Sequence, residues 1–246
     1  MTSKPKPRHV SSSSASPRPK GGNPFKDRMG LGAYLSEPAA YEPSRVIYHT
    51  PDFVVIYDKF PKATVHTLLL PRSDERNLQH PFDAFADPDF LAKVRGEAAR
   101  LKKLAAKQLR TKVGASSRAE ATREAALNGE DDAAGGELPP GRDWEKEIMC
   151  GVHAVPSMSH LHVHVLSRDM HSECVKHRKH YNSFNTPFLV DLDDFPLPED
   201  DPRRDTKREG YLQRDMKCWR CGRNFGNQFK KLKDHLEDEF QEWKRE

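Results

Sequence analysis

Along residues 45–72, "RVIYHTPDFVVIYDKFPKATVHTLLLPR", apolar runs are separated by Pro51–Asp52 and Pro61–Lys62. Short β-branched and aromatic runs bounded by such breakers predict three successive strands. The period then changes. Phe90, Leu91, Val94, Ala98, Leu101, Ala105 and Leu109 recur at helical spacing within residues 87–112. Asp87 as N-cap and Pro88 at the first helical position predict where that helix begins. Segments 147–155 and 160–167 read as two more strands, paired around Pro156–Ser157. In "HLHVHVLS", Leu161, Val163 and Val165 alternate with His160, His162 and His164. That period of two sends the apolar set into a core and gives the three imidazoles a shared opposite face. Residues 25–35 predict a short helix presenting Phe25, Tyr34 and basic side chains. The order β-β-β-α-β-β predicts an α+β fold built on an antiparallel sheet.

Composition adds what lies outside that core. Of 246 residues, 35% are apolar and 32% charged, too few apolar positions to bury the whole chain. Residues 1–24, rich in Ser, Pro and Lys, are expected to form a disordered basic tail. Residues 114–142, rich in Gly, Ala and acid, are expected to be a flexible insertion. Residues 1–28 carry seven Lys/Arg against one Asp, and residues 203–233 carry eleven against three acids. Two basic ends predict a polyanionic partner, most simply nucleic acid. No apolar run approaches the roughly 20 residues of a membrane span. Four cysteines, two of them in a C-x-x-C pair, suit a reducing compartment, so the chain is expected to be soluble and intracellular.

That pair begins a second chemical signal. Cys218 and Cys221 are followed by His235 and, one helical turn later, Glu239. Two thiolates, an imidazole and a carboxylate would complete a tetrahedral zinc site with no open position, so one structural zinc is expected. A basic helix stapled this way, with Lys230 and Lys231 on it, suits phosphate contacts to DNA.

The histidine strand allows two chemistries. Two of its imidazoles are able to ligate a catalytic metal, with a third ligand from elsewhere. Alternatively, one is a nucleophile toward phosphorus while its neighbours bind the phosphate. Here resemblance enters. The His-x-His-x-His run, with "YDKFPKATVHTLLLPR" upstream, resembles the histidine-triad (HIT) family of nucleotidyl hydrolases and transferases. The stretch "GVHAVPSMSHLHVHVLSRDMHSECVKHRKHYNSFNTPF" resembles the aprataxin branch of that family, which removes AMP from 5′ ends of DNA after abortive ligation. The terminal Cys, Cys, His, Glu set is similar to the zinc finger of its fungal members.

The resemblance implies a HIT catalytic domain over residues 25–200 and a zinc-finger DNA-binding module over 201–246. It implies His162 as the nucleophile, oriented by the His160 backbone carbonyl, with His160 and His164 flanking the phosphate. Ser157 would donate to a phosphoryl oxygen, His153 would assist the leaving DNA 5′-phosphate, and Lys179 would neutralise charge there. Asp58 and His66 would meet the ribose, and Ile56 would pack on adenine. Tyr34, Lys176, Lys230 and Lys231 would contact DNA. Implied with these are AMP as product, no catalytic metal, a monomer, and work in the nucleus. Two rivals remain: hydrolysis of free nucleotide phosphoramidates or dinucleotides, and non-enzymatic binding of DNA ends.

Overall fold

The computed structural model describes residues 28–129 and 137–246. The expected tail at 1–24 lies outside them, as do the first residues of the expected 25–35 helix. What is seen of that helix is one turn, Gly32–Ser36, beginning after a glycine-containing bend.

Six strands form one sheet: β1 (Val46–His49), β2 (Phe53–Tyr57), β3 (His66–Pro71), β4 (Ile148–His153), β5 (Val163–Ser167) and β6 (Leu189–Asp191). Their spatial order is β1-β2-β3-β5-β4-β6, with antiparallel pairing throughout. Ladder partners share a sheet face. Ile56, Leu68, His164 and Gly151 form one such row across β2, β3, β5 and β4. Gly151 is required there, since a Cβ would collide with the Val190 carbonyl oxygen of β6.

Four helices of eight residues or more occur among the described residues: α1 (Pro88–Val113), α2 (Arg118–Leu127), α3 (Arg178–Asn185) and α4 (Phe229–Trp243). In α1 the Asp87 side chain accepts from the Asp89 and Phe90 amides, and Pro88 opens the first turn as expected. Its stripe of Leu91, Val94, Ala98, Leu101, Ala105 and Leu109 is buried against Val55, Leu69, Val152, Val163 and Val165. Removing those side chains from water stabilises the layer by about 25 cal/mol per Å² of apolar surface. The other face of the sheet carries Ile56, His66 and His164. It is covered by Leu31 and Leu35 at one side and by α3 at the other.

Two expectations need correction. Residues 114–142 are not wholly irregular: α2 occupies 118–127, capped by Ser117 and tied by Glu120 to Arg110 and Trp144. Residues 130–136 lie outside the described set. Second, β5 starts at Val163, so His160 and His162 sit in the preceding loop instead of on the strand. The histidine face is covered in its turn: His160, His162 and His164 are each about 5–6% exposed.

The C-terminal part adds a two-stranded ribbon, β7 (Met216–Lys217) and β8 (Asn224–Gly226), and then α4. It shares a core with the sheet domain, because Leu166, Met170, Tyr181 and Phe184 pack with Met216, Phe225, Leu232 and Leu236. The Tyr181 hydroxyl donates to the Lys217 carbonyl and accepts the Trp219 amide, at 2.9 and 3.0 Å. The expected boundary at residue 201 is therefore crossed by one continuous apolar cluster.

Candidate active site and zinc centre

The loop before β5 places the central histidine. The His162 Nδ1–H donates to the His160 carbonyl oxygen at 2.7 Å, and no other described protein group bonds to Nε2. In a neutral ring with Nδ1 protonated, Nε2 carries the free lone pair. Burial holds this imidazole below its ordinary pKa, against the raising effects of the His160 carbonyl and Asp58. The ring is neutral at pH 7, and Nε2 keeps an uncommitted lone pair.

His164, on β5, is fixed through β3. The Lys62 amide donates to His66 Nδ1 at 3.0 Å, so the neutral His66 ring carries its proton on Nε2. That Nε2–H faces His164 Nδ1 at 3.0 Å and lies 3.5 Å from Asp58 Oδ2. With Nδ1 of His164 used as acceptor, its proton sits on Nε2, which is buried and has no partner. The result is an N–H aimed into the site with nothing to satisfy it. Burial lowers His66 to about 4, and His164 falls well below its usual value for the same reason.

His153, at the end of β4, completes the cluster. Its ring centroid is 4.4 Å from that of His164, and burial lowers its pKa to about 3. His153 Nε2 is also buried and unpartnered. The rings of His66, His153 and His164 all lie within 5.4 Å of Phe184, which supplies an apolar floor. Phe184 was not picked out from sequence, although "YNSFNTPF" carries aromatic residues at helical spacing just past the triad.

The other expected residues are placed less uniformly. The His160 ring turns away from this cluster and packs on Gly32, where a Cβ would approach Cε1 to 2.7 Å. Only its carbonyl reaches the site, so the expected flanking of phosphate by its side chain does not follow from the arrangement. Asp58 receives the Phe60 amide on Oδ1 at 2.7 Å and points Oδ2 toward His66. Ile56 is buried beside Leu68 under Leu31 and Leu35. Ser157 is exposed in the β4–β5 turn, and Lys176 and Lys179 are exposed at the start of α3. Tyr34 is half-buried against Tyr41, their centroids 4.6 Å apart.

Two groups of donor atoms each converge within 4.8 Å: Cys218, Cys221, His235 and Glu239, and separately Asp58, His66 and His164. The first fits zinc. Two sulfurs, one imidazole nitrogen and one carboxylate oxygen are a full tetrahedral set. Arg220 binds the second oxygen of Glu239 at 2.5 Å, orienting Oε1 toward His235 at 3.1 Å. In the second group, the histidine contact is accounted for by one donated hydrogen bond. Lys230 and Lys231 are exposed on the first turn of α4.

Comparison with known proteins agrees with this arrangement. Residues 40–171 match the HIT domain family, and residues 185–242 match the C2HE / C2H2 / C2HC zinc-binding finger. An aprataxin-like protein of Saccharomyces cerevisiae is 34% identical over 226 residues, covering 87% of this chain and 95% of that protein. One from Schizosaccharomyces pombe is 32% identical, covering 88% and 82%. The solved structure of aprataxin ortholog Hnt3 in complex with DNA superposes with a TM-score of 0.68 at 28% identity, over 88% of this chain and 96% of that one. A structure of Hnt3 from Schizosaccharomyces pombe gives 0.68 at 31% identity, over 90% and 97%. With a buried histidine cluster at the sheet and its adjoining loop, and with four converging zinc donors in the C-terminal part, the chain belongs to the aprataxin family of HIT-domain nucleotide hydrolases that act in DNA repair.

Proposed function

We propose that the chain hydrolyses the pyrophosphate linkage joining AMP to the 5′ end of DNA, in two displacements at one phosphorus. His162 Nε2 attacks the AMP phosphorus, a P–N bond forms, and the P–O bond to the DNA 5′-phosphate breaks with its electron pair leaving on oxygen. The imidazole becomes cationic, and the His160 carbonyl, already accepting Nδ1–H, stabilises it. Water then attacks the same phosphorus and gives up a proton to bulk solvent, the P–N bond returns its electrons to Nε2, and AMP departs.

Negative charge on the nonbridging oxygens needs donors fixed in advance. The unpartnered His164 Nε2–H is one, and its cost in burial is recovered when an oxygen arrives. Ser157 is assigned to a second oxygen, and His153 and Lys179 to the leaving 5′-phosphate. Asp58 takes the ribose. His66 holds the tautomer of His164, and Ile56 supports the adenine side of the site. No metal is assigned to this step.

Zinc, held by Cys218, Cys221, His235 and Glu239, supplies a structural staple for α4 and the β7–β8 ribbon. Residues 25–200 are read as the catalytic part and 201–246 as the DNA-binding part. Tyr34, Lys176, Lys230 and Lys231 are assigned to DNA, by stacking for the ring and phosphate pairing for the lysines. The Hnt3 complex with DNA supports a DNA partner here, and the basic ends with the DNA-repair family fit a nuclear protein.

One observation carries the reading: a single ring, His162, has Nδ1–H committed to a carbonyl and Nε2 open. The test is 5′-adenylated nicked DNA labelled in the AMP phosphate. Label trapped on His162, with His162→Ala binding DNA but not turning over, is the expected result. Hydrolysis surviving in His162→Ala, or label on another residue, would overturn it.

A further inference from the structure

Residues 118–147 carry a feature the catalytic reading does not use. The Arg142 side chain is 6% exposed and lies between two indoles, 4.6 Å from the Trp144 ring and 4.8 Å from the Trp243 ring. One guanidinium nitrogen donates to the Trp243 carbonyl at 2.7 Å; the other is paired by charge with Glu147 at 3.1 Å but makes no hydrogen bond of its own. Glu147 in turn accepts from Trp243 Nε1 at 2.8 Å. Close by, the first turn of α2 donates backbone amides from Arg118 and Ala119 to the carbonyls of Arg245 and Glu246.

These contacts answer a specific electrostatic need. The end of α4 leaves carbonyls without intrahelical partners and a partial negative charge. A buried guanidinium and the N-terminus of α2 meet both. A cation stacked between two aromatic faces is held more firmly than an exposed ion pair. Glu147 also stands one residue before β4, the strand that ends in His153.

We propose that Arg142 is a positioning residue for the DNA reaction: its clasp fixes the zinc-stapled helix to the catalytic sheet, so that both halves engage one DNA end in register. Small adenylates, which fill only the catalytic cluster, do not depend on it. This rests on the adenylated-DNA reading above.

The test compares Arg142→Met, which keeps an apolar stem between the indoles, and Arg142→Lys with the unaltered full-length, zinc-loaded protein. Substrates are 5′-adenylated nicked DNA and adenosine 5′-phosphoramidate. For Arg142→Met, KM for the DNA rises at least tenfold with kcat changed less than threefold, while phosphoramidate turnover stays within twofold. Arg142→Lys recovers part of the loss. Amide hydrogen exchange in residues 229–246 accelerates at least tenfold, with β3 and β5 unchanged. Equal losses on both substrates, or unchanged exchange in 229–246, would overturn the clasp. An unaltered protein that fails on adenylated DNA but shows faster α4 exchange in the variant would refute the substrate reading and leave the clasp standing.

Discussion

His66 Nε2 lies 3.0 Å from His164 Nδ1, and the Lys62 amide on the far side of the His66 ring decides which of the two carries the proton. A tautomer two residues removed from His162, the proposed nucleophile, is thereby set by hydrogen bonding, and it leaves His164 as a donor toward the site.

His66→Ala removes that constraint and leaves His164 free to place its proton on either nitrogen. Positioned donors of this kind contribute about 10²–10³ in rate. A loss of kcat of roughly that size is expected, with DNA affinity held within a few-fold by fluorescence anisotropy. Unchanged kcat would mean that His164 does not act as a donor.

Acidity should act on chemistry and on stability. Burial holds His162 below the ordinary imidazole pKa, so the fall of kcat with acid is expected to begin below 6.5. His66 and His153 titrate at about 4 and about 3 when folded, against 6.5 for the free ring. The unfolded chain binds more protons across that window, so their contribution is complete above 6.5 and lost as pH falls toward 3. Thermal melts in a pH series check this, with the midpoint falling below 6.5, and initial rates on folded protein locate the fall of kcat.

Gly151 stands opposite His164 and against the Val190 carbonyl oxygen. Gly151→Ala forces β6 away, and overpacking of this kind costs about 1–3 kcal/mol. Denaturant unfolding should show that loss, with reduced activity on every substrate.

Zinc removal should act at a distance. A chelator strong enough to strip the four-donor site is expected to lower the melting midpoint and weaken binding to nicked DNA. Phosphoramidate turnover at low temperature should persist. Loss of that turnover in step with zinc, while the fold survives, would instead point to a metal in the histidine cluster.

Lys230 and Lys231 carry a salt signature. If each neutralises one phosphate, the double Ala variant reduces the slope of log K against log salt by about 2. Titrations between low and moderate salt measure it directly; an unchanged slope removes these lysines from the interface.

Much of this was legible from spacing. Pro51 and Pro61 fall in the two breaks, between His49 and Phe53 and between Tyr57 and His66, and Asp87 with Pro88 starts α1 at the residue the capping pattern indicates. The zinc donors were readable because C-x-x-C and an i,i+4 pair leave few other geometries. The site was readable less well. Strict alternation from His160 argued for a strand face, yet pairing with β3 begins at Leu69–Val163, so the first two histidines lie beyond the ladder.

Other elements gave weak signals for physical reasons. β6 has three residues, too few to show a period. α2 buries none of its ten residues, so it carries no apolar stripe; a Ser117 cap and the ties from Glu120 support it instead. Phe184 carries no motif of its own, and only the tertiary packing sets it beneath three imidazoles.

The group that places the His66 proton is a peptide N–H and not a side chain. Any residue except proline offers the same donor at position 62, because proline alone lacks it. Drift in the side chain there leaves the relay's polarity untouched, whereas a single insertion between Lys62 and His66 would displace the amide and leave Asp58 alone to hold the proton on Nε2.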